Sequence, residues 1–119
     1  MGLFEEKCFL TKKYRVILAN GLPPNSKPMR AHVFSGDDEL GYHTLNRFQN
    51  FTFSFCAGFK TEFFCHLWWD KKDAQFDLFK TEKYVFARCE DECYWLVRGD
   101  GIYYSPSYRN QPPHKVITW

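Results

Sequence analysis

Between residues 50 and 56 polar and aromatic side chains alternate without interruption: Phe51, Phe53 and Phe55 share one side of an extended chain, and Asn50, Thr52 and Ser54 the other. A period of two belongs to a strand with one face in a core and the other in water. Related patterns recur along the chain, and no segment sustains the 3.6 period of a helix. Residues 14–20 read as a strand, and residues 29–35 set Met29, Ala31 and Val33 against Arg30 and His32. Residues 62–69 are apolar on both faces and suit a central strand, while residues 74–80 alternate Phe76 and Leu78 with Gln75 and Asp77. After the segment 83–88, further strands are expected over 93–98 and 102–104, and 116–119 could add a last one. Between them stand turn residues: Asn20-Gly21-Leu22-Pro23-Pro24-Asn25, Ser35-Gly36-Asp37-Asp38-Glu39-Leu40-Gly41, the charged hairpin Asp70-Lys71-Lys72-Asp73, and Gly99-Asp100-Gly101. About seven or eight short strands punctuated this way predict an all-β fold, a β-sandwich of two antiparallel sheets.

With 13 Phe, 7 Tyr and 4 Trp, rings must dominate its core. A length of 119 residues suits one domain, expected over 14–119 after an N-terminal extension at 1–13. The 16 Lys+Arg and 14 Asp+Glu leave a charge of only +2, which argues against nucleic acid as a partner. No window approaches the roughly 18 apolar residues of a membrane span, so no direct membrane insertion is expected. Five Cys indicate an oxidising compartment and a disulfide-stabilised domain, and the odd count leaves one thiol over. The start, Met1-Gly2-Leu3-Phe4-Glu5-Glu6-Lys7, lacks a charged-then-apolar leader pattern. Either a leader has been removed or the protein is cytosolic.

Several phrases in fixed order resemble one family, the plant self-incompatibility protein homologues, small secreted proteins of the poppy-type pollen-rejection system. They run from Val16 to Tyr103: Asn20-Gly21-Leu22; Ser35 through Gly41 with Tyr42-His43-Thr44-Leu45; Phe51-Thr52-Phe53-Ser54-Phe55; Thr61-Glu62-Phe63-Phe64-Cys65; Trp68-Trp69; Phe76-Asp77; Cys89 and Cys93 with Trp95; and Asp100-Gly101-Ile102-Tyr103. The resemblance implies a signal peptide in the precursor, a secreted and extracellular β-sandwich, and no known catalytic activity or cofactor. It also implies a ligand role: in the best-studied members the stigma protein is recognised by a pollen membrane protein, which starts calcium entry and death of incompatible pollen. The implied partner is a membrane receptor protein on a target cell, met by a monomer.

The family usually carries a Cys where this sequence has Val33, so one of its four is missing, and Cys8 and Cys56 are extra. In an extended strand Cys89 and Cys93 would stand about 13 Å apart, whereas a disulfide needs Cα atoms within about 7 Å. The expected pairing is therefore Cys65 with Cys89, and Cys93 with Cys8; Cys56, whose phase on its strand points outward, is the possible substitute. Asn50-Phe51-Thr52 is the one N-glycosylation sequon, with Asn50 facing outward. The receptor-binding candidates are Asp70, Lys71, Lys72, Asp73, Glu90, Asp91 and Glu92, because charges at the rim of an interface set specificity and encounter rate.

Other chemistries weigh less. Cys65, His66, Cys89 and Cys93 could be drawn as a zinc site, and a small intracellular zinc-binding or protein-interaction domain is the alternative reading. In a strand, however, His66 points away from Cys65. Asp37-Asp38-Glu39 lacks the ligand spacing of a calcium loop, leaving Gly36, Asp37 and Gly41 as turn residues. His32, His43, His66 and His114 show no spacing that pairs two imidazoles for acid–base catalysis, so no enzyme is expected. Trp68, Trp69 and Trp95 read as core or sheet-face rings rather than a sugar platform, and Lys12-Lys13-Tyr14-Arg15 is too small a basic patch to bind DNA or lipid.

Overall fold

The computed structural model describes residues 8–81 and 88–119. Among them nine strands form: β1 (Lys12–Asn20), β2 (Met29–Ser35), β3 (Glu39–Leu45), β4 (Asn50–Ala57), β5 (Glu62–Trp69), β6 (Lys72–Lys80), β7 (Glu92–Arg98), β8 (Gly101–Ser105) and β9 (His114–Thr118). The addition is β3, whose first residues read as loop. The turn ahead of it is closed by Ser35, whose Oγ accepts the Asp38 N–H at 2.9 Å. Gly41, at φ 86°, then carries the chain through a conformation that side chains disfavour, whereas Gly36 has open space around it. Of the two glycines expected to shape this turn, only Gly41 is required by the backbone. The segment 83–88 lies, but for Arg88, outside the described residues.

The strands make two sheets, β4-β1-β7-β8-β9 and β3-β2-β5-β6. One pairing corrects the expectation of purely antiparallel sheets: β1 runs parallel to β7, from Arg15 opposite Glu92 to Asn20 opposite Val97. A parallel pair needs a long crossover, and here the whole second sheet lies between the two strands in sequence. Such a partner cannot be read from short-range periodicity.

Inward residues of each sheet meet as rings. Phe55 of β4 lies 4.6 Å from Phe63 of β5 and 4.7 Å from Phe79 of β6, and Tyr14 of β1 lies 4.7 Å from the same Phe79. Trp95 of β7, buried, packs between the tilted rings of Phe76 and Tyr104 and donates its indole N–H to the Leu78 carbonyl at 3.1 Å. A bulge in the β5–β6 ladder lets consecutive residues Leu78 and Phe79 both face inward, which strict alternation forbids. At the far edge Gly101 is obligatory, because a Cβ there would stand 2.3 Å from the Ile117 carbonyl oxygen of β9.

Candidate functional site

The two charged loops expected to form a recognition surface lie at opposite ends of the sandwich. Glu92 sits at the start of β7, opposite Arg15. The hairpin at Asp70 sits at the other end: the space beside Gly99, just past β7, is filled by Pro23 and Trp69, with Trp69 on the hairpin stem. They cannot act as one patch.

The loop at 90–92 is bound within the molecule. Glu92, with a side chain only 17% exposed, is held between Arg15 at 3.4 Å and Arg109 at 3.2 Å. Glu90 accepts a hydrogen bond from the Gln111 amide at 3.2 Å, and its backbone carbonyl receives the Lys12 ammonium. The Asp91 carboxylate accepts the Glu92 N–H at 2.7 Å. Neighbouring cations and donors engage each of the three residues.

The hairpin is more open. Trp69 pairs with Lys72, leaving a two-residue turn of Asp70 and Lys71. Asp70 adopts φ 53°, which a short polar side chain tolerates, and its carboxylate meets Lys27 at 3.1 Å. The Lys72 ammonium donates to the Trp119 carbonyl at 3.1 Å, and Asp73 lies 3.0 Å from His66. Among the described residues Lys71 forms no ion pair, so an exposed cation is presented on a braced turn.

The cysteines depart from expectation. The disulfides are Cys8–Cys56 and Cys89–Cys93, each with Cα atoms 5.4 Å apart, and Cys65 is a free, buried thiol. Neither Cys65–Cys89 nor Cys93–Cys8 forms. The 13 Å separation assumed an extended chain, but β7 begins only at Glu92, and residues 89–91 turn back toward Cys93. Cys56 does point outward; Cys8 reaches it there because the chain ahead of β1 reverses at Leu10, φ 62°. Cys65 faces Val33 directly across β2 and β5. Burial alone pushes its thiol pKa far up, so it is a poor nucleophile and a poor metal ligand. With Cys89 and Cys93 joined and His66 on the opposite face from Cys65, the zinc reading fails. Among the described residues no three His, Cys, Asp or Glu side chains converge on a metal position.

On the outer face of the four-stranded sheet, His32 and His66 stand opposite each other across β2 and β5, a pairing that sequence spacing does not show. Each meets its own carboxylate: His32 lies 2.7 Å from Glu39, and His66 3.0 Å from Asp73. The rings continue as a stack, with His32 4.1 Å from Tyr42 and His66 3.8 Å from Trp68. Glu39 titrates below the usual range because the Gly41 N–H donates to it at 2.9 Å and His32 lies beside it. Asp77 moves the other way, to about 6, through burial and a hydrogen bond with Glu62, partly offset by Lys80. A carboxyl that holds its proton more tightly when folded stabilises the fold at low pH and loses that contribution as pH rises. Stability should therefore fall between about pH 4 and 6 from this group. Asp77→Asn should flatten that segment of a urea-midpoint profile, and an unchanged slope would refute the assignment.

Sequence reading also misses the outer face of the five-stranded sheet, where solvated strands should be polar. Ile17 and Ala19 of β1 and Tyr94 and Leu96 of β7 instead floor a groove of about 670 Å³. Its walls include Phe48, Tyr108, Arg47 and Arg98, and Asn50 stands on its lip. The available signal was the apolar character of both phases in β1 and β7, which marks strands with two covered or partly covered faces.

A family model described as Plant self-incompatibility protein S1 matches residues 15–119. S-protein homolog 8 of Arabidopsis thaliana is 34% identical over 112 residues, covering 91% of this chain and 82% of that protein. S-protein homolog 2 of the same plant is 34% identical over 98 residues, covering 78% and 60%. Self-incompatibility protein S1 of Papaver rhoeas is 30% identical over 82 residues, covering 66% and 59%. A solved structure described as belonging to SPH proteins, a widespread family of small, highly stable, secreted proteins from plants, superposes with a TM-score of 0.72 at 18% identity. It covers 92% of this chain and 96% of that one, and carries the likeness of fold.

Proposed function

The chain belongs to the plant self-incompatibility protein S1 family, and from that membership we propose that it is a secreted plant signalling ligand recognised by a cell-surface receptor, in self-incompatibility or related cell–cell communication. The observation that carries this reading is the family match across 15–119. The Cys8–Cys56 and Cys89–Cys93 disulfides agree with an extracellular life. Residues 14–119 act as one unit, recognition rather than catalysis is its work, and the protein is a monomer whose leftover thiol is buried. Asn50, exposed at the start of β4, carries a glycan.

Of the charged candidates, the hairpin Asp70, Lys71, Lys72 and Asp73 makes the receptor contact, because Lys71 projects from a turn whose neighbours are already braced. Glu90, Asp91 and Glu92 support that role by closing the opposite end rather than by touching the receptor. The test is binding of labelled protein, produced through a plant secretory pathway, to the surface of intact target cells. Lys71→Glu should abolish saturable binding while leaving secretion and the unfolding temperature unchanged. Binding that survives the reversal would sink the hairpin assignment, and saturable binding to no tested cell type would sink the ligand reading. The secreted protein should lose mass on enzymatic removal of N-glycans, and Asn50→Gln should abolish that loss; a protein that gains no glycan there overturns the Asn50 assignment.

A further inference from the structure

The groove outside the five-stranded sheet has three features that its fold does not require. The first is Phe48. The connection between β3 and β4 is a tight turn in which the Gln49 N–H donates to the Asn46 carbonyl at 2.9 Å. Phe48 is the third residue of that turn, at φ 70°. That conformation favours Gly or Asn, and a bulky aromatic there is an outlier. The side chain is nevertheless 75% exposed, so core burial does not compensate the strain. Phe48 is held in place from behind: its N–H donates to the Asn20 carbonyl at 2.9 Å, and the Arg47 guanidinium lies 4.1 Å over its ring. Strain maintained by a rigid surrounding is characteristic of functional positions.

The second feature is the floor. Tyr94, Leu96 and Arg98 project outward at every second position of β7, roughly 7 Å apart. Alternate side chains of an extended peptide have the same spacing. Tyr108, 49% exposed and 4.6 Å from Tyr94, forms the wall across from them.

The third is charge. Arg47 donates its Nε–H to the Leu22 carbonyl at 3.1 Å, and Arg98 lies 5.0 Å over the Tyr103 ring, so both guanidinium groups are oriented. Among the described residues neither has an ion pair. Among the described residues the groove's one carboxylate, Asp100, is already engaged by the Tyr103 hydroxyl at 2.9 Å and the Lys115 ammonium at 3.4 Å. The unmatched charge is positive and in a form suited to bidentate carboxylate contacts.

We infer that this groove docks an extended acidic segment of the partner protein, with Phe48 as the apolar anchor and Arg47 and Arg98 as the carboxylate contacts. The inference deepens the receptor reading and rests on it for the partner's being a receptor. Buried aromatic anchors beside arginine are what concentrate binding energy at protein interfaces. The braced hairpin at Asp70 borders the same end through Trp69, Gly99 and Pro23.

The test uses peptides selected from a random linear-peptide display library on immobilised full-length protein carrying Asn50→Gln, which keeps the groove lip free of glycan. Binding of the recovered peptides is measured by fluorescence anisotropy, alongside versions with every Asp and Glu changed to Asn and Gln. The expected result is recovered peptides enriched in acidic residues around an apolar one, with affinity falling roughly tenfold or more when the carboxylates are removed. Phe48→Gly, and Arg47→Gln combined with Arg98→Gln, should each weaken binding by a comparable factor. Phe48→Gly also separates recognition from folding, because Gly relieves the turn: the variant should unfold at no lower a temperature than the parent and yet lose the peptide. Peptides without acidic excess, or affinities that neither variant changes, would overturn the inference. So would a concentration-dependent dimer abolished by Phe48→Gly, which would make a second copy the occupant. Lys71→Glu should leave peptide affinity intact, so a failed groove and a failed receptor reading give different results.

Discussion

Asn20→Ala should lower the unfolding free energy by about 3–4 kcal/mol, a large fraction of the roughly 5–15 kcal/mol that holds a domain of this size. Asn20 is 2% exposed at the end of β1, and every polar group it carries is used. Its side-chain oxygen accepts the Leu22 N–H at 2.9 Å, and its amide nitrogen donates to the Leu45 carbonyl at 2.8 Å. Its own N–H donates to the Gln49 carbonyl, and its carbonyl accepts from Phe48, both at 2.9 Å. One residue thus ties the β1–β2 connection to the β3–β4 turn, across the two sheets. Truncation leaves a backbone donor and a backbone acceptor buried and unmatched, at about 1–3 kcal/mol each, beside a small cavity. Urea unfolding followed by Trp fluorescence measures the loss. A change below about 1 kcal/mol would mean that water takes over both partners. Because the same network positions Phe48, Asn20→Ala should also weaken the groove's peptides even where the variant remains folded.

Val33→Cys should act in the opposite direction. Val33 and Cys65 are directly opposed across β2 and β5, and both are buried. Directly opposed strand residues have Cα atoms about 4.5–5.5 Å apart, within the range a disulfide spans. Closing a loop of that sequence separation stabilises by about 4 kcal/mol in the chain-entropy model. Replacing a packed Val removes about 1 kcal/mol, leaving a net gain of about 3 kcal/mol. After oxidation, denatured Val33→Cys protein should take up no alkylating reagent, whereas the parent takes up one equivalent at Cys65. Two alkylated thiols in the variant would show that the strands hold the sulfurs apart. Cys65 is free in this chain because the residue that opposes it across the ladder is Val33.

Charge behaviour adds to the same picture. The outer face of the four-stranded sheet holds a carboxyl with a raised pKa, Asp77, whereas the carboxyl of Asp100 at the groove titrates low because the Tyr103 hydroxyl and then Lys115 bond to its charged form. Acidification toward pH 4 therefore strengthens the first face through Asp77 and leaves Asp100 charged over most of that range. The carboxyls of the two faces should therefore respond differently to acid, although each face is built from alternating aromatic strands.

Which residues point inward was legible wherever one face of a strand is buried and the other is wet. Phe51, Phe53 and Phe55 lie on the expected side of β4, and Met29, Ala31 and Val33 on the expected side of β2. That phase follows from a repeat of two, a property of each strand alone, and so did the all-β class and the placement of the charged hairpin. Three residues within the family phrases also carry local geometry in this chain: Asn20 is a buried amide, Gly41 takes a positive φ, and Gly101 admits a close approach of backbone. Partners were a different matter. The parallel contact of β1 with β7, the opposition of Val33 and Cys65, the turn that brings Cys89 to Cys93, and the groove above Ile17 and Leu96 all depend on which strands lie side by side. Periodicity reports the face of a residue and says nothing of its neighbour across the ladder. That neighbour is chosen by the packing of two whole sheets, which only the tertiary structure determines.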